Sequence, residues 1–271
     1  MLIVTPFIAF LLGLVEGLTE FLPVSSTGHL TLASHLLGVP KELADTYDVV
    51  VQIGAILAVA VHYRSILVTH AGGVLRREKA SLRMFLALAI AFVPTAVVGL
   101  LFRKAIKKYL FGPLPVAIAL AVGGVVMLVM AQMRKGKPEG AEGLSEVTPA
   151  RAAAIGVGQC FSLVPGASRS MVTIVAGQLA GLSAKTAADF TFLLGLPVLG
   201  GASLYEAYKD RAALAEIGGL NLAVGLVTAF LVGWAAIAAF VRYLGKHGLA
   251  PFGVYRILLA VVTIVLLYRP A

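Results

Sequence analysis

The chain has 271 residues, of which 59% are hydrophobic and 13% are charged, whereas soluble domains carry about 25% charged residues. The formal net charge is +9, but most lysines and arginines lie in short segments between apolar runs, where anionic lipid is the expected neighbour and nucleic acid is not. The composition therefore excludes a soluble domain and predicts an integral membrane protein. The apolar runs show no period-two alternation, so the predicted spans are α-helices.

The first apolar region, residues 2–38, is interrupted near its middle. Pro23-Val24-Ser25-Ser26 divides it into two pieces that are too short to cross a hydrocarbon layer about 30 Å thick. A re-entrant helix pair is therefore predicted, with its irregular tip buried in protein or facing a wet cavity. Three predicted spans follow: 44–63, 82–102 and 114–133.

The second half of the chain resembles the first. Residues 151–181 form another apolar region, which Pro165-Gly166-Ala167-Ser168 interrupts. Three further spans follow it: 187–207, 219–241 and 252–268. Five pairs of residues align when the chain is shifted by 142 or 143 positions: Pro23/Pro165, Ser26/Ser168 and Thr31/Thr173 at 142, then Gly38/Gly181 and Tyr47/Phe190 at 143.

The number of spans predicts the symmetry of this repeat. Three spans are an odd number and a re-entrant pair adds no net crossing, so the second copy lies upside down relative to the first. The predicted fold is an all-α integral membrane protein with an inverted-topology repeat, each half a re-entrant helix pair plus three transmembrane helices. It is one membrane domain, 1–271, with repeats at about 1–133 and 150–271 and a polar linking loop, 134–149. The two tips then meet near the midplane of the membrane.

The first tip carries two carboxylates. Glu16 and Glu20 lie one helical turn apart in a run, residues 1–22, that has no other ionisable side chain. Their Cβ atoms are expected about 5–6 Å apart, close enough to share a divalent cation. An unpaired charge at this depth costs about 3 kcal/mol or more, which indicates a function. The alternative is that both carboxylates face an exposed mouth and only solvate it.

Three hydroxyl residues and a histidine follow. Ser25, Ser26 and Thr27 precede a short helix predicted at about 27–37, and serine and threonine are common N-caps, which is the preferred interpretation of Ser25. The same geometry directs free backbone N–H groups and the positive helix end at the tip, which makes an anion site. His29 titrates near neutrality and lies three residues after Ser26, the candidate nucleophile.

The second tip, PGASRSMVT at 165–173, adds a cation. Ser168 can cap the next helix, and Arg169 lies in its first turn, where a guanidinium is unfavourable unless an anion lies near it. The guanidinium fork suits phosphate oxygens. Snorkelling of Arg169 to the lipid headgroups is the alternative. Ser170 and Thr173 are further candidate hydrogen-bond donors.

Other polar residues in the spans receive weaker predictions. Asp48, Gln52 and Asp189 are assigned to supporting the site, to contacting the substrate or to joining helices. Arg256 is expected to snorkel or to pair. No Walker loop, zinc-type His/Cys spacing or dinucleotide fingerprint is present, so nucleotide-driven pumping is not predicted. Structural or interfacial histidines are predicted at His35, His62, His70 and His247.

The two tip motifs resemble those of a known family, the bacterial undecaprenyl-pyrophosphate phosphatases of the bacitracin-resistance type. EGLTEFLPVSSTGH at 16–29 has the family's E-x-x-x-E pattern, and PGASRS at 165–170 has its P-G-x-S-R-S pattern. The likeness covers essentially the whole chain. By this resemblance, the functional residues of the family fall on six positions: Glu16, Glu20, Ser26, His29, Ser168 and Arg169.

The resemblance implies an enzyme, a phosphoric anhydride hydrolase. It would convert undecaprenyl pyrophosphate to undecaprenyl phosphate and inorganic phosphate, which recycles the lipid carrier for peptidoglycan synthesis and confers bacitracin resistance. A divalent cation, magnesium or calcium, is implied, and Glu16 and Glu20 are its candidate ligands. Ser26 is the predicted nucleophile, activated by His29 or a carboxylate, while attack by His29 or by water stays open. The candidate phosphate contacts are Arg169, Ser168, Ser170, Thr27, Thr173 and Ser25.

A secondary transporter or flippase for a phosphorylated polyprenyl lipid is the alternative function, because inverted repeats with broken helices also describe transporters. The predicted partners are the polyprenyl pyrophosphate and membrane lipids, without nucleic acid, and a homodimer stays open. The predicted location is the bacterial inner (plasma) membrane, with the active site open to the periplasmic side. The positive-inside rule agrees with this orientation. Four cationic residues oppose it: Arg103, Lys104, Lys107 and Lys108.

Overall fold

The computed structural model describes residues 4–267, apart from the side chains of residues 42, 107 and 213. Twelve α-helices follow one another through these residues. The first half contains α1 (Pro6–Thr19), α2 (Ser26–Leu36), α3 (Lys41–His62), α4 (Arg64–Leu75), α5 (Lys79–Tyr109) and α6 (Pro113–Arg134). The second half contains α7 (Pro149–Gln159), α8 (Arg169–Leu179), α9 (Ala184–Lys209), α10 (Arg211–Ile217), α11 (Gly219–His247) and α12 (Ala250–Leu267).

Six of these helices are long and apolar enough to cross a membrane: α3 over Leu43–His62, α5 over Lys79–Ile106, α6 over Pro113–Arg134, α9 over Ala184–Lys209, α11 over Gly219–His247 and α12 over Ala250–Leu267. They correspond to the six predicted spans, and residues 4–267 contain no β-strand, so the all-α membrane fold is confirmed. Residues 2, 3 and 268, which belonged to predicted elements, lie outside the described residues.

The connections after α3 and α9 also form helices, which the sequence analysis did not predict. α4 has 12 residues and α10 has seven. At 1.5 Å per residue they are about 18 and 11 Å long, so neither crosses the membrane. Each therefore joins two spans on one side of the bilayer and leaves the count of six unchanged.

Each interrupted region forms a pair of short helices around an irregular tip. α1 has 14 residues, and α2, α7 and α8 have 11 each, which makes them about 16–21 Å long. Both second helices begin after a serine in a left-handed conformation, Ser25 at φ 72° and Ser168 at φ 70°. Each serine hydroxyl accepts the N–H three residues later. Non-glycine residues at positive φ store strain, which commonly accompanies functional sites.

The caps relate the two halves at one constant offset of 143 residues. Three pairs share it: the N-caps Thr5 and Thr148, the N-caps Ser25 and Ser168, and the positive-φ glycines Gly38 and Gly181. The sequence alignment at 142, which paired Ser26 with Ser168, is therefore wrong by one residue. Ser26 corresponds to Arg169, because the N-cap serines occupy equivalent main-chain positions in the two halves and the prolines of the tips do not.

The re-entrant pairs pack against the opposite halves. α1 packs on α11 and α7 packs on α5, while α6 pairs with α12 and α3 with α9. α1 is equivalent to α7, and α11 is equivalent to α5. These reciprocal contacts are therefore the ones expected when a two-fold axis relates the two halves. The contact of α1 with α11 is close, since a Cβ at Gly13 would lie 2.6 Å from the Gly225 carbonyl oxygen.

Candidate active site

The two tips meet through a buried ion pair. Arg169 Nη2 donates to Glu20 Oε1 over 3.1 Å, and the side chains are 7% and 6% exposed. Arg169 Nη1 donates to the Thr191 carbonyl of α9 over 2.8 Å. Arg169 Nε is buried without a hydrogen-bond partner. One N–H of the guanidinium is therefore free to bind an anion that enters the site.

Burial decides between the alternatives for these charged residues. Glu16 is 1% exposed and Arg169 is 8% exposed, so the carboxylate does not solvate an open mouth and the guanidinium does not snorkel. Gly195 makes room for the guanidinium, because a Cβ there would lie 2.9 Å from Arg169 Nη1. Glu16 lies within electrostatic range of Glu20 and Arg169, and its Oε1 has no hydrogen-bond partner.

The hydroxyl of Ser26 is held by the same carboxylate. Ser26 is the first residue of α2, and its Oγ donates to Glu20 Oε2 over 2.6 Å. A carboxylate in this position can accept the hydroxyl proton as the oxygen attacks an electrophile. Of the two activators predicted for Ser26, the structure places the carboxylate in contact with it.

His29 makes its hydrogen bonds elsewhere. Its Nδ1 lies 2.8 Å from the Ser25 carbonyl oxygen, and because a carbonyl only accepts, Nδ1 is the donor. Nε2 then accepts from the Tyr255 hydroxyl over 2.7 Å, and the two rings stack at 5.6 Å. His29 therefore supports the strained turn at Ser25. Tyr255 was missed, because a tyrosine 226 residues away in an apolar span gives no local signal.

The hydroxyl groups of the second tip have distinct environments. Ser168 Oγ accepts the Met171 N–H at 3.3 Å and lies 3.0 Å from Ser170 Oγ. Ser170 Oγ is 2.9 Å from the Leu22 carbonyl oxygen, which forms a second link between the tips. Thr173 is fully buried and donates to a carbonyl of its own helix over 2.7 Å. Its hydroxyl proton is not available to a phosphate, which contradicts the predicted contact.

A cavity of about 370 Å³ opens beside the first tip. Thr27, which is exposed, lines it together with Asp48 of α3 and Pro165 of the second tip. A headgroup that enters this cavity thus reaches residues of both tips. Ser34, His35, Asp45 and Val116 also line it.

The family described as "Bacitracin resistance protein BacA" matches residues 9–262. The chain belongs to this family. It is 56% identical over 256 residues to the undecaprenyl-diphosphatase of Sorangium cellulosum, a match that covers 93% of this chain and 83% of the relative. It is 45% identical over 262 residues to the undecaprenyl-diphosphatase of Deinococcus radiodurans, covering 95% and 93%. The protein of that name from Nitrosomonas eutropha is 47% identical over 249 residues, covering 92% and 90%.

This member of the BacA family has a buried arginine that the sequence analysis misjudged. Arg256 of α12 is fully buried and donates to main-chain carbonyls at 2.9–3.3 Å. It neither snorkels nor pairs with a carboxylate. Because turn carbonyls lack helical N–H partners, they are free to accept from a guanidinium. The accepting carbonyls belong to α6 and to both tips: Ala119, Leu120, Pro23, Gly166 and Ala167.

We expect Arg256→Met to lower kcat about 100-fold in the BacA-family reaction, since small displacements of catalytic groups have effects of this size. The substitution removes the tie between the two tips but leaves every residue of the ion pair in place. Phosphate release measures the loss, and added guanidinium ion is expected to restore part of it. Arg242→Met, which removes an exposed arginine of α11, is the matched control. An Arg256→Met protein with wild-type kcat would contradict the interpretation that Arg256 holds the two tips in their catalytic positions.

The remaining polar residues of the spans mostly join helices. Tyr63 donates to Asp189 over 2.7 Å, and Ser203 donates to Gln52 over 2.9 Å, which links α3 to α9. These contacts fit the helix-joining alternative for Asp189 and Gln52. Asp48 differs, because its Oδ1 is buried without a partner. The four histidines outside the tips form local contacts or lie exposed: His35, His62, His70 and His247.

Proposed function

We propose that this protein is an undecaprenyl-diphosphatase of the bacterial inner membrane. It hydrolyses the anhydride bond of undecaprenyl pyrophosphate to give undecaprenyl phosphate and inorganic phosphate, which recycles the lipid carrier for peptidoglycan synthesis and confers bacitracin resistance. The observation that carries the proposal is the contact of Ser26 and Arg169 with the same buried carboxylate, Glu20. The name of the relatives agrees with it.

The pyrophosphate binds where the tips meet. Phosphoryl transfer needs the charge on the phosphate oxygens to be neutralised by fixed groups. Arg169 offers its unpartnered Nε–H, and the N-termini of α2 and α8 both point their free N–H groups at the tips. Thr27 in the entry cavity is the hydroxyl group placed to contact the headgroup, whereas the buried Ser170 hydroxyl donates to the Leu22 carbonyl oxygen.

Ser26 is the nucleophile of the proposed reaction. Its Oγ attacks the terminal phosphorus while Glu20 Oε2, at 2.6 Å, takes the hydroxyl proton. The bond from phosphorus to the bridging oxygen breaks, and undecaprenyl phosphate leaves with that oxygen. Glu20 gives the proton to this leaving group and becomes a carboxylate again. Water then attacks the phosphoserine while Glu20 accepts a proton from the water, and inorganic phosphate leaves as Glu20 returns that proton to Ser26 Oγ. His29 acts through Ser25, whose turn it holds.

A divalent cation, magnesium or calcium, is part of the proposal. The donor set fits one, because Glu16 has a buried carboxylate oxygen without a hydrogen-bond partner. When bound, the cation would neutralise charge on the pyrophosphate oxygens. The predicted second ligand, Glu20, has both oxygens in hydrogen bonds with Ser26 and Arg169.

The prenyl tail is assigned to a separate apolar groove of about 740 Å³. α6 and α8 form its walls, and it reaches the second tip at Val164 and Ala167, next to Pro165 of the entry cavity. A lipid whose headgroup lies at Arg169 can therefore extend its tail into the groove. The side chains that line it are all apolar, which suits an isoprenoid chain.

We expect Val122→Trp, which fills this groove, to lower kcat/KM about 10-fold for a C55 diphosphate and to leave a C15 diphosphate within about twofold. The longer tail needs the groove, whereas the headgroup and first isoprene units do not. Val125→Trp is the control, since Val125 lies on the same helix, is 52% exposed and does not line the groove. Equal losses for both chain lengths would contradict the tail assignment.

Phosphate release from purified protein tests the proposed function. With magnesium or calcium, undecaprenyl pyrophosphate is expected to yield one phosphate per molecule and undecaprenyl phosphate as the lipid product. A chelator is expected to stop the reaction, and readdition of the cation to restart it. Absence of phosphate release with either cation would reject the function. The distribution of Lys and Arg supports a periplasmic mouth, which a membrane-impermeant label on Thr27→Cys would locate.

A further inference from the structure

Two carboxylate oxygens near the site are buried without partners. Glu20 is not one of them, because Ser26 and Arg169 occupy both of its oxygens. The unpartnered oxygens are Glu16 Oε1 and Asp48 Oδ1. A buried carboxylate oxygen without a donor is costly, which indicates a ligand that supplies positive charge.

The two carboxylates belong to neighbouring elements. α1, which carries Glu16, packs against α3, which carries Asp48, and the two side chains lie within electrostatic range of each other. Asp48 lines the 370 Å³ entry cavity, whereas Glu16 lies behind it beside Glu20 and Arg169. The electrostatic interactions of Glu16 therefore reach both Asp48 in the cavity wall and the ion pair of the tips.

The fold itself does not require acids at these positions. The offset of 143 residues places Gln159 opposite Glu16 and Thr191 opposite Asp48. Both residues of the second half are neutral and fully buried. Each of them also leaves one side-chain oxygen without a hydrogen-bond partner, so unpartnered oxygens occur at these positions in both halves. Only the first half places negative charge there.

We propose that Glu16 and Asp48 are the carboxylates that hold a divalent cation, with Asp48 in place of Glu20 as the second ligand. This inference rests on the proposed function, because the phosphate oxygens of the proposed substrate supply further ligands to the cation. Among the described residues, no group of three or more His, Cys, Asp or Glu side chains is arranged so that it could hold a metal ion. Magnesium commonly binds one or two carboxylates and completes its shell with water and substrate phosphate oxygens.

Binding of Mn²⁺ to the full-length protein in detergent, measured by electron paramagnetic resonance without substrate, tests this pair. We expect Glu16→Gln and Asp48→Asn each to weaken Mn²⁺ binding about 10-fold or more. Glu20→Gln is expected to stay within about twofold of wild type. Asp45→Asn is the matched control, because Asp45 lies one turn before Asp48, lines the same cavity and is exposed beside Lys41. Size-exclusion profiles establish that each variant is folded.

Three results would overturn the inference: no Mn²⁺ binding by the wild type, wild-type binding by Asp48→Asn, or a loss in Glu20→Gln as large as in Glu16→Gln. Iron-mediated cleavage of the backbone is a second test, which is made on the wild-type protein and needs no substitution. Cleavage near residues 16 and 48, suppressed by magnesium, supports the pair, and cleavage confined to other sites opposes it. Because neither readout needs turnover, a protein that binds Mn²⁺ at this pair but releases no phosphate would refute the proposed function and leave the inference standing.

Discussion

Arg169→Lys is expected to lower kcat/KM for a polyprenyl diphosphate about 1,000-fold. Lysine keeps the positive charge but has no planar fork. It cannot bind Glu20 and the Thr191 carbonyl at fixed angles while a further N–H stays directed at the pyrophosphate. Phosphate release under substrate-limiting conditions measures the effect.

Arg242→Lys, a change at an exposed arginine of α11, controls for the substitution itself and is expected to be neutral. An Arg169→Lys enzyme within tenfold of wild type would mean that Arg169 acts as a point charge only. The fork geometry in the proposed site would then be irrelevant to catalysis.

Ser26→Ala is expected to lower kcat by about 10,000-fold or more, as removal of a nucleophile does in other covalent mechanisms. The protein is expected to keep its fold, because Ser25 and not Ser26 caps α2. Single-turnover phosphate release measures the rate, and acid-quenched wild-type protein is expected to carry phosphoserine at residue 26. Ser65→Ala, at an exposed serine of α4, is the control.

A Ser26→Ala enzyme that keeps more than about a tenth of the wild-type kcat would contradict the covalent step, since a true nucleophile cannot be spared to that degree. The open alternative, a water activated by Glu20, would then replace it. The absence of phosphoserine in a wild-type enzyme quenched during turnover would point the same way.

Local signals made most of the fold predictable. Stretches of about 20 apolar residues gave the six spans, and the interruptions at Pro23 and Pro165 gave the two re-entrant pairs. α4 and α10 were missed because short helices on one side of the membrane carry neither that length nor a clear apolar face. The offset of 142 at the tips was wrong by one residue, since the identical prolines do not occupy equivalent backbone positions, whereas the offset of 143 at Gly38 and Gly181 agrees with the structure.

The charged residues of the site were predictable because buried charge in a membrane needs a reason. Glu20 and Arg169, which form the ion pair, were predicted for this reason, whereas Ser26 was predicted from its place in the tip motif. The sequence did not identify which oxygen each donor binds, so Glu20 was predicted as a metal ligand although both of its oxygens are hydrogen-bonded to Ser26 and Arg169. The roles of Tyr255 and Arg256 depend on contacts more than 80 residues apart in the sequence, which no local pattern encodes.

A double-mutant cycle between the tips tests the central claim most directly. Glu20→Gln, Arg169→Gln and the double variant are compared with wild type by phosphate release. Because the two residues form one buried unit, the double variant is expected to be no slower than the slower single variant, within about threefold. Losses that multiply across the two substitutions would show that Glu20 and Arg169 act independently, and a site assembled from both tips would be contradicted.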